Sequence, residues 1–171
     1  MSECNQPASA YVVMGICGSG KSTVARELAR LLGLDTLDAD DFHSKESISK
    51  MAAGIPLEDS DRLDWLRRLN QELLARVRAG NSVVLACSAL KQRCRDSISE
   101  GLSICHWIYL KGNRDLIVER VSRREDHYMP VSLVDSQLTD LEEPAHAFVV
   151  DISNTLEVIC KQLEEAFARI R

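Results

Sequence analysis

Short apolar runs alternate with longer amphipathic stretches along most of this chain. The runs have the length of buried strands and cover residues 11–16, 36–39, 82–87, 104–110 and 148–152. Between and after them, apolar residues recur at the spacing of one helix face, over residues 21–32, 44–53, 63–77, 115–124 and 156–170. This alternation predicts an α/β fold in which a parallel sheet carries helices on both faces.

Nothing in the pattern divides the chain into separate units. The 171 residues suit one domain, and no linker, repeat or low-complexity segment interrupts the alternation. Residues 1–9 are mostly polar and are predicted to form a loose N-terminal tail. Residues 10–171 are then expected to fold as a single domain.

The charge balance limits the partners of such a domain. With 21 Lys and Arg against 26 Asp and Glu, the formal net charge is −5, which disfavours general binding to nucleic acids or membrane surfaces. No apolar run approaches the roughly 20 residues of a membrane span. We therefore expect a small substrate whose anionic groups meet a few local cations.

Cysteine usage points to a reducing compartment. The six cysteines form neither a Cys-x-x-Cys pair nor zinc spacing with histidine. Cys87, Cys105 and Cys160 lie in apolar surroundings that are typical of small buried side chains. No disulfide framework is expected, and the N-terminus lacks the basic and apolar regions of a signal peptide. The protein is predicted to be cytoplasmic.

The strongest motif lies between the first apolar run and the first helix. It reads Gly-Ile-Cys-Gly-Ser-Gly-Lys-Ser from Gly15 to Ser22, the G-x-x-x-x-G-K-S pattern of a P-loop. Its glycines let successive N–H groups turn toward phosphates, and the helix N-terminus that follows favours anions. Lys21 can bridge the outer phosphates of ATP, and the Ser22 hydroxyl can ligate Mg²⁺.

The context of the motif supports a nucleotide site. A glycine-rich turn without a ligand is the alternative, but here an apolar strand precedes the loop and an amphipathic helix follows it. The predicted ATP-binding residues of this loop are Gly15, Gly18, Ser19, Gly20, Lys21, Ser22 and Thr23.

Two carboxylates follow the second apolar run, where parallel strands place residues at the binding edge of the sheet. Asp38 and Asp40 are two residues apart, so in an extended stretch their side chains point the same way. One can hold a water on Mg²⁺ while the other accepts the proton of an attacking hydroxyl. A helix-capping loop would carry the same residues. His43 is the weaker candidate, because a single histidine is more often structural.

Basic residues supply candidates for binding an anionic acceptor. Lys91 and Arg95 follow the third apolar run at helical spacing, which places them on one face. Arginine can bind a carboxylate through two hydrogen bonds, although a solvated helix face explains the pair as well. Arg62, in an acidic stretch, either binds the acceptor or pairs with its neighbours.

Two further arginines end the helix predicted over residues 115–124. Arg120 and Arg124 share a face of that helix. Arginines over a phosphate cradle stabilise the charge of the transferring group. A basic helix end, which the helix dipole favours, is the alternative.

Taken together, these segments resemble the small gluconokinases, a family of P-loop kinases. The most distinctive block is Cys87-Ser88-Ala89-Leu90-Lys91, followed by Arg95-Asp96. The other matching segments and residues are 14–22, 38–43, 50–51, 54, 56–57, 59, 61–62, 65–66, 109–112, 120, 124, 127–130, 136–137, 141–142 and 144. The resemblance therefore runs from Val13 to about Asp151, nearly the whole chain.

The resemblance implies a P-loop kinase fold with a five-stranded parallel sheet and a mobile lid around residues 120–140. It implies a homodimer that phosphorylates D-gluconate at the 6-hydroxyl with ATP and Mg²⁺, giving 6-phosphogluconate. By resemblance, the catalytic residues are Lys21, Asp40 and Arg124, and the metal is held at Ser22 and Asp38. Arg120 and Arg124 would contact ATP. The implied acceptor residues are Asp40, His43, Arg62, Lys91 and Arg95.

Other functions remain open from the sequence. One is a P-loop kinase for another small carboxylated polyol or for a nucleoside monophosphate. Another is a non-catalytic nucleotide-binding switch, although the chain has neither the Asn-Lys-x-Asp nor the Asp-x-x-Gly motif of such proteins. The loop after residues 149–151 is the predicted place for adenine, because it lies beside the cradle in this topology.

Overall fold

The apolar runs form the strands of one parallel sheet. The computed structural model describes residues 7–53, 55, 57, 59–123 and 131–167. Its strands are β1 (Ala10–Met14), β2 (Asp35–Asp38), β3 (Val83–Ala86), β4 (Cys105–Lys111) and β5 (Phe148–Asp151). They lie in the order β2-β3-β1-β4-β5, and every neighbouring pair is parallel. The predicted α/β fold with a five-stranded parallel sheet is confirmed.

Helices connect these strands. Within the described residues they are α1 (Lys21–Leu32), α2 (Lys45–Ala52), α3 (Asp59–Arg78), α4 (Gln92–Ser99), α5 (Arg114–Ser122), α6 (Val131–Asp140) and α7 (Leu156–Phe167), with a 3-10 helix over Ala39–Phe42. The apolar pattern does not predict α6, because Val134 is its one fully buried side chain among those described. None of the helices in the described ranges is both long and apolar enough to span a membrane.

The central strand explains why the sheet is covered on both sides. All five residues of β1 are buried. Tyr11 and Val13 belong to the core packed with α1, α5 and α7, whereas Val12 and Met14 belong to the core packed with α3 and α4. In the second core α3 contributes Leu66, Leu69 and Leu73. Burying one such leucine contributes about 1.5–3 kcal/mol.

The sheet order brings three loops to one edge. The strands β2, β3 and β1 are neighbours, and parallel strands end on the same side. The P-loop follows β1, Asp38 ends β2 with Asp40 just beyond it, and the segment with Lys91 follows β3. In open α/β sheets ligands bind outside these carboxyl ends, so the fold itself collects the residues that the sequence predicts to act together.

The last residue of the predicted N-terminal tail, Ser9, belongs to the folded domain. Ser9 is buried, its N–H donates to Ser82 Oγ at 3.0 Å, and its carbonyl accepts from the Val83 N–H at 3.1 Å. Ser9 therefore extends the pairing of β1 with β3, whereas residues 1–6 lie outside the described part of the chain.

Candidate active site

The P-loop joins β1 to α1 with backbone angles that glycine adopts freely. Gly18 and Gly20 have φ values of +79° and +94°, in the left-handed region. A Cβ at Gly18 would also lie 2.6 Å from Val121 Cγ2, whereas a Cβ at Gly20 would meet nothing within 4 Å. The space beside Gly20 is therefore open at the start of α1, where the first N–H groups have no partner within the helix.

The other predicted cradle residues lie along the same loop. Gly15 lies so close to the Ser19 side chain that a Cβ at Gly15 would be 2.7 Å from Ser19 Oγ. That Ser19 hydroxyl is buried and has no hydrogen-bond partner within the described residues. Thr23 is exposed in the first turn of α1. The loop thus has the compact form that an anion cradle requires.

Lys21 folds back over the loop. Its Nζ donates to the Ile16 carbonyl at 3.0 Å. Burial lowers the pKa of Lys21, while the charges of Asp40 and Asp38 act in the opposite direction. The ammonium group therefore lies in a poorly solvated place, where a phosphate oxygen would be a favourable partner.

The structure joins the two residues predicted to hold the metal. Ser22 Oγ donates to Asp38 Oδ2 at 2.8 Å. Both are hard oxygen ligands, which Mg²⁺ prefers, and Mg²⁺ usually takes one or two protein groups besides phosphates and waters. No cluster of three or more His, Cys, Asp or Glu side chains suited to a metal occurs among the described residues. The donor set therefore fits a Mg²⁺ ion shared with a nucleotide.

The predicted geometry of the carboxylate pair is wrong. Asp38 ends β2, but Asp40 lies in the 3-10 helix Ala39–Phe42 rather than in an extended stretch. Asp38 Oδ1 caps that helix by accepting from the Asp40 N–H at 3.1 Å. Asp38 therefore both caps the 3-10 helix and contacts the P-loop. One of its carboxylate oxygens accepts from Ser22, and the other fixes the turn in which the exposed Asp40 lies.

A stacked aromatic pair supports the end of this turn. The His43 ring stacks on Trp65 with centroids 4.8 Å apart and an interplanar angle of 7°. Trp65 Nε1 donates to the Ala39 carbonyl at 2.7 Å, which fixes the indole. Burial lowers the pKa of His43 against the opposing charge of Asp40, so the imidazole is neutral at neutral pH. Its buried Nδ1 lacks a hydrogen-bond partner in the described part of the chain.

Lys91 and Arg95 do not share one helix face as predicted. Lys91 has extended backbone angles at the N-cap of α4, and its Nζ lies 3.0 Å from Asp140 Oδ1. Arg95 is buried, and its Nη1 donates to the carbonyls of Ala89 and Leu90 at 2.9 and 3.0 Å. Its Nε and Nη2 both donate to Gln92 Oε1. Arg95 therefore braces the loop that carries Lys91.

The braced loop contains a strained residue. Ala89 has a φ of +42°, the one positive value at a non-glycine residue in the described ranges. Such a conformation costs on the order of 1–2 kcal/mol, and strain of this kind persists where the surroundings enforce it. The hydrogen bond from Arg95 to the Ala89 carbonyl supplies that support and keeps Lys91 at the edge of the site.

The remaining predicted cations lie apart. Arg62 is exposed on α3 and makes no ion pair within the described residues, while its neighbour Asp61 is paired with Lys50 at 2.8 Å. Arg120 Nη2 donates to the Ile152 carbonyl at 2.6 Å, so it ties α5 to the loop after β5. Arg124 lies outside the described residues, as does the middle of the predicted lid, residues 124–130.

Two polar residues at and just beyond the end of the predicted lid contact the site, although the sequence predicts no role for them. Gln137 on α6 accepts the Cys17 N–H at 2.7 Å, which holds the P-loop backbone from 120 residues away. Glu142 accepts the Gln92 N–H at 2.6 Å, and its own N–H donates to the Leu90 carbonyl at 3.0 Å. The segment 137–142 therefore contacts both the cradle and the Lys91 loop.

Comparison with known proteins identifies close relatives. The model of the shikimate kinase family matches residues 17–167. A thermoresistant gluconokinase of Escherichia coli (strain K12) is 40% identical over 169 residues, which cover 96% of this chain and 97% of that protein.

Solved structures of kinases are also similar to this chain. A gluconokinase from Sinorhizobium meliloti 1021 superposes with a TM-score of 0.83 at 37% identity, covering 96% of this chain and 93% of that one. A shikimate kinase from Bacteroides thetaiotaomicron gives a TM-score of 0.68 at 15% identity over 94% of this chain and 98% of that one. At that identity the second likeness shows the fold alone.

Proposed function

The chain belongs to the gluconokinase family, and the shikimate kinase family model also matches it. We therefore propose that it transfers a phosphoryl group from ATP to D-gluconate. The acceptor atom is the 6-hydroxyl, and the product is 6-phosphogluconate. The observation that carries phosphoryl transfer is the hydrogen bond between Ser22 and Asp38. It places the Asp38 carboxylate, at the end of β2, directly against the phosphate cradle, as a reaction between two bound substrates requires.

The reaction is an in-line displacement at the γ-phosphorus. The 6-hydroxyl oxygen bonds to that phosphorus, the bond to the β–γ bridging oxygen breaks, and ADP leaves with the electron pair. The hydroxyl proton passes to the Asp40 carboxylate. Lys21 and the N–H groups at the start of α1 stabilise the phosphate charge, and Arg120 and Arg124 are proposed to act on the ATP side.

Ser22 and Asp38 are the proposed Mg²⁺ ligands. When bound, Mg²⁺ neutralises charge on the β- and γ-phosphate oxygens. Asp38 would hold the metal through one carboxylate oxygen, because its other oxygen accepts the Asp40 N–H.

On the acceptor side, we propose that Lys91 binds the gluconate carboxylate and that His43 and Arg62 face its hydroxyls. A neutral imidazole can both donate and accept a hydrogen bond, which suits a polyol. Arg95 contributes by holding the Ala89 and Leu90 carbonyls, and so by positioning Lys91.

We further propose that the enzyme works as a homodimer in the cytoplasm. The dimer is suggested by the family resemblance. Support for a reducing compartment comes from Cys87, Cys94, Cys105 and Cys160, which are free thiols in the part of the chain that the structure describes.

The proposed function is tested by coupling ADP formation to NADH oxidation in the presence of Mg-ATP. We expect ADP release to depend on D-gluconate, and mass spectrometry to find 6-phosphogluconate. D-glucitol, shikimate and AMP form the comparison panel. No ADP above background with gluconate would reject the proposal, and stronger turnover with AMP would favour a nucleoside monophosphate kinase. ATP binding without acceptor-stimulated ADP release would favour a nucleotide-binding switch.

Replacing Gln137 by methionine is expected to raise the KM for ATP by about tenfold. Methionine keeps the length of the side chain but removes the oxygen that accepts the buried Cys17 N–H. A buried donor that loses its acceptor carries a desolvation cost of about 1–3 kcal/mol, here within the loop that binds the phosphates. Steady-state kinetics with ATP varied at saturating gluconate measure the effect.

Thr139→Ala is the matched control for Gln137→Met. Thr139 is exposed on the same helix, and its hydroxyl donates within the helix to the Asp135 carbonyl at 3.0 Å. We expect its KM for ATP to equal that of the wild type. If Gln137→Met also stays within twofold, Gln137 does not shape the cradle.

A further inference from the structure

The Asp140 carboxylate forms an ion pair with Lys91, the residue proposed to bind the acceptor carboxylate. Lys91 Nζ lies 3.0 Å from Asp140 Oδ1, and the two side chains are 30% and 40% exposed. Lys91 caps α4 after β3, and Asp140 is the last residue of α6. The pair is therefore open to solvent at the binding edge of the sheet, where an acid group entering the site would meet it.

Other contacts hold the two segments together without this ion pair. Glu142 bonds to the N–H of Gln92 and to the carbonyl of Leu90, and Gln137 bonds to the N–H of Cys17. An ion pair with this much exposure contributes only about 0–1 kcal/mol. The Asp140 carboxylate can therefore leave Lys91 while α6 stays attached to the cradle and to the Lys91 loop.

We propose that Asp140 is a specificity-determining residue that stands in for the acceptor carboxylate on Lys91. The inference rests on the proposed function, because it requires that gluconate bind at Lys91. In the structure the Asp140 carboxylate neutralises Lys91. An acceptor with a carboxylate displaces Asp140 and exchanges one ion pair for another, whereas a neutral polyol has no group that can do so.

The proposed exchange of ion pairs predicts that a mutation beside the active site lowers the KM for gluconate rather than raising it. Asp140→Asn keeps the size of the side chain and removes the competing charge, so gluconate no longer has to displace a carboxylate. We expect the KM for gluconate to fall by about threefold, the size that an exposed ion pair allows. The KM for ATP should stay unchanged. General damage to the fold would raise KM rather than lower it.

Asp135→Asn is the matched control on the same helix. Asp135 pairs with Arg114 through Nε at 2.6 Å and Nη2 at 3.0 Å, away from the Lys91 loop. This variant makes the same acid-to-amide change and also removes an ion pair of α6. Its KM for gluconate should equal that of the wild type, and calorimetric titration of gluconate gives a second measure for each variant.

Lys91→Met separates the inference from the proposed function. If Lys91 binds the acceptor, Lys91→Met raises the KM for gluconate at least about tenfold, and adding Asp140→Asn changes it no further. If Lys91→Met has no effect, the proposed role of Lys91 is wrong and the inference falls with it. If Lys91→Met raises KM but Asp140→Asn leaves it unchanged or raises it, the inference alone is overturned.

Discussion

Replacing Asp40 by asparagine is expected to lower kcat by about 10³-fold, within the range of a lost general base. The amide cannot take the proton of the attacking hydroxyl. The turn should survive, because the backbone N–H of Asp40, rather than its side chain, bonds to Asp38. The dissociation constant of a non-hydrolysable ATP analogue with Mg²⁺ should therefore stay within about twofold of the wild type. Single-turnover kinetics and calorimetry measure the two quantities.

Asp41→Asn is the control for this experiment. Asp41 follows directly in the same 3-10 helix and is also exposed, so the variant loses the same charge one residue away. We expect near-wild-type kcat. If Asp40→Asn instead weakened the ATP analogue as strongly as a change at Lys21 does, Asp40 would serve the nucleotide or the metal rather than the acceptor hydroxyl.

The sequence predicts the sheet and the phosphate cradle because each depends on residues that are close together in the chain. Strand length and helical periodicity follow from which side chains are buried, and the P-loop combines fixed glycines with a strand before it and a helix after it. The contact between Ser22 and Asp38 could also be anticipated. The carboxyl ends of parallel strands meet at one edge, and this general property of the fold brings the two residues together.

The prediction that Lys91 and Arg95 share one helix face is wrong for a specific physical reason. Residues four apart share a face only when both lie within a helix. Lys91 is the N-cap of α4 with φ −95° and ψ 144°, so the rule does not apply to it. The spacing of Asp38 and Asp40 misleads in the same way, since it assumes an extended chain where a capped turn has formed.

The roles of Gln137 and Glu142 could not be predicted from local sequence. Their hydrogen bonds reach Cys17 and Gln92, which are 120 and 50 residues away. No periodic pattern records such a contact, and α6 itself has too few buried side chains to appear in the apolar pattern. The resemblance to a family includes both residues, but only the fold shows what they touch.

Lys21→Met is expected to reduce kcat/KM for ATP by at least about 10³-fold without destabilising the fold. Loss of a single preorganised donor costs about 10²–10³ in rate, and Lys21 also supplies a full charge to the phosphates. Isothermal titration with the ATP analogue and steady-state kinetics measure the loss. Lys161→Met, at an exposed position on α7, is the control for removal of a lysine charge.

The stability of Lys21→Met distinguishes a catalytic lysine from a structural one. Burial lowers the pKa of Lys21, which means that the fold disfavours its charged form. The variant relieves that cost and loses the hydrogen bond to the Ile16 carbonyl. These effects oppose one another, so we expect Tm to change by about 3 °C or less, equivalent to roughly 1 kcal/mol for a chain of this size. A fall of about 10 °C would instead indicate that Lys21 holds the P-loop together, and the lost activity would then follow from a collapsed cradle.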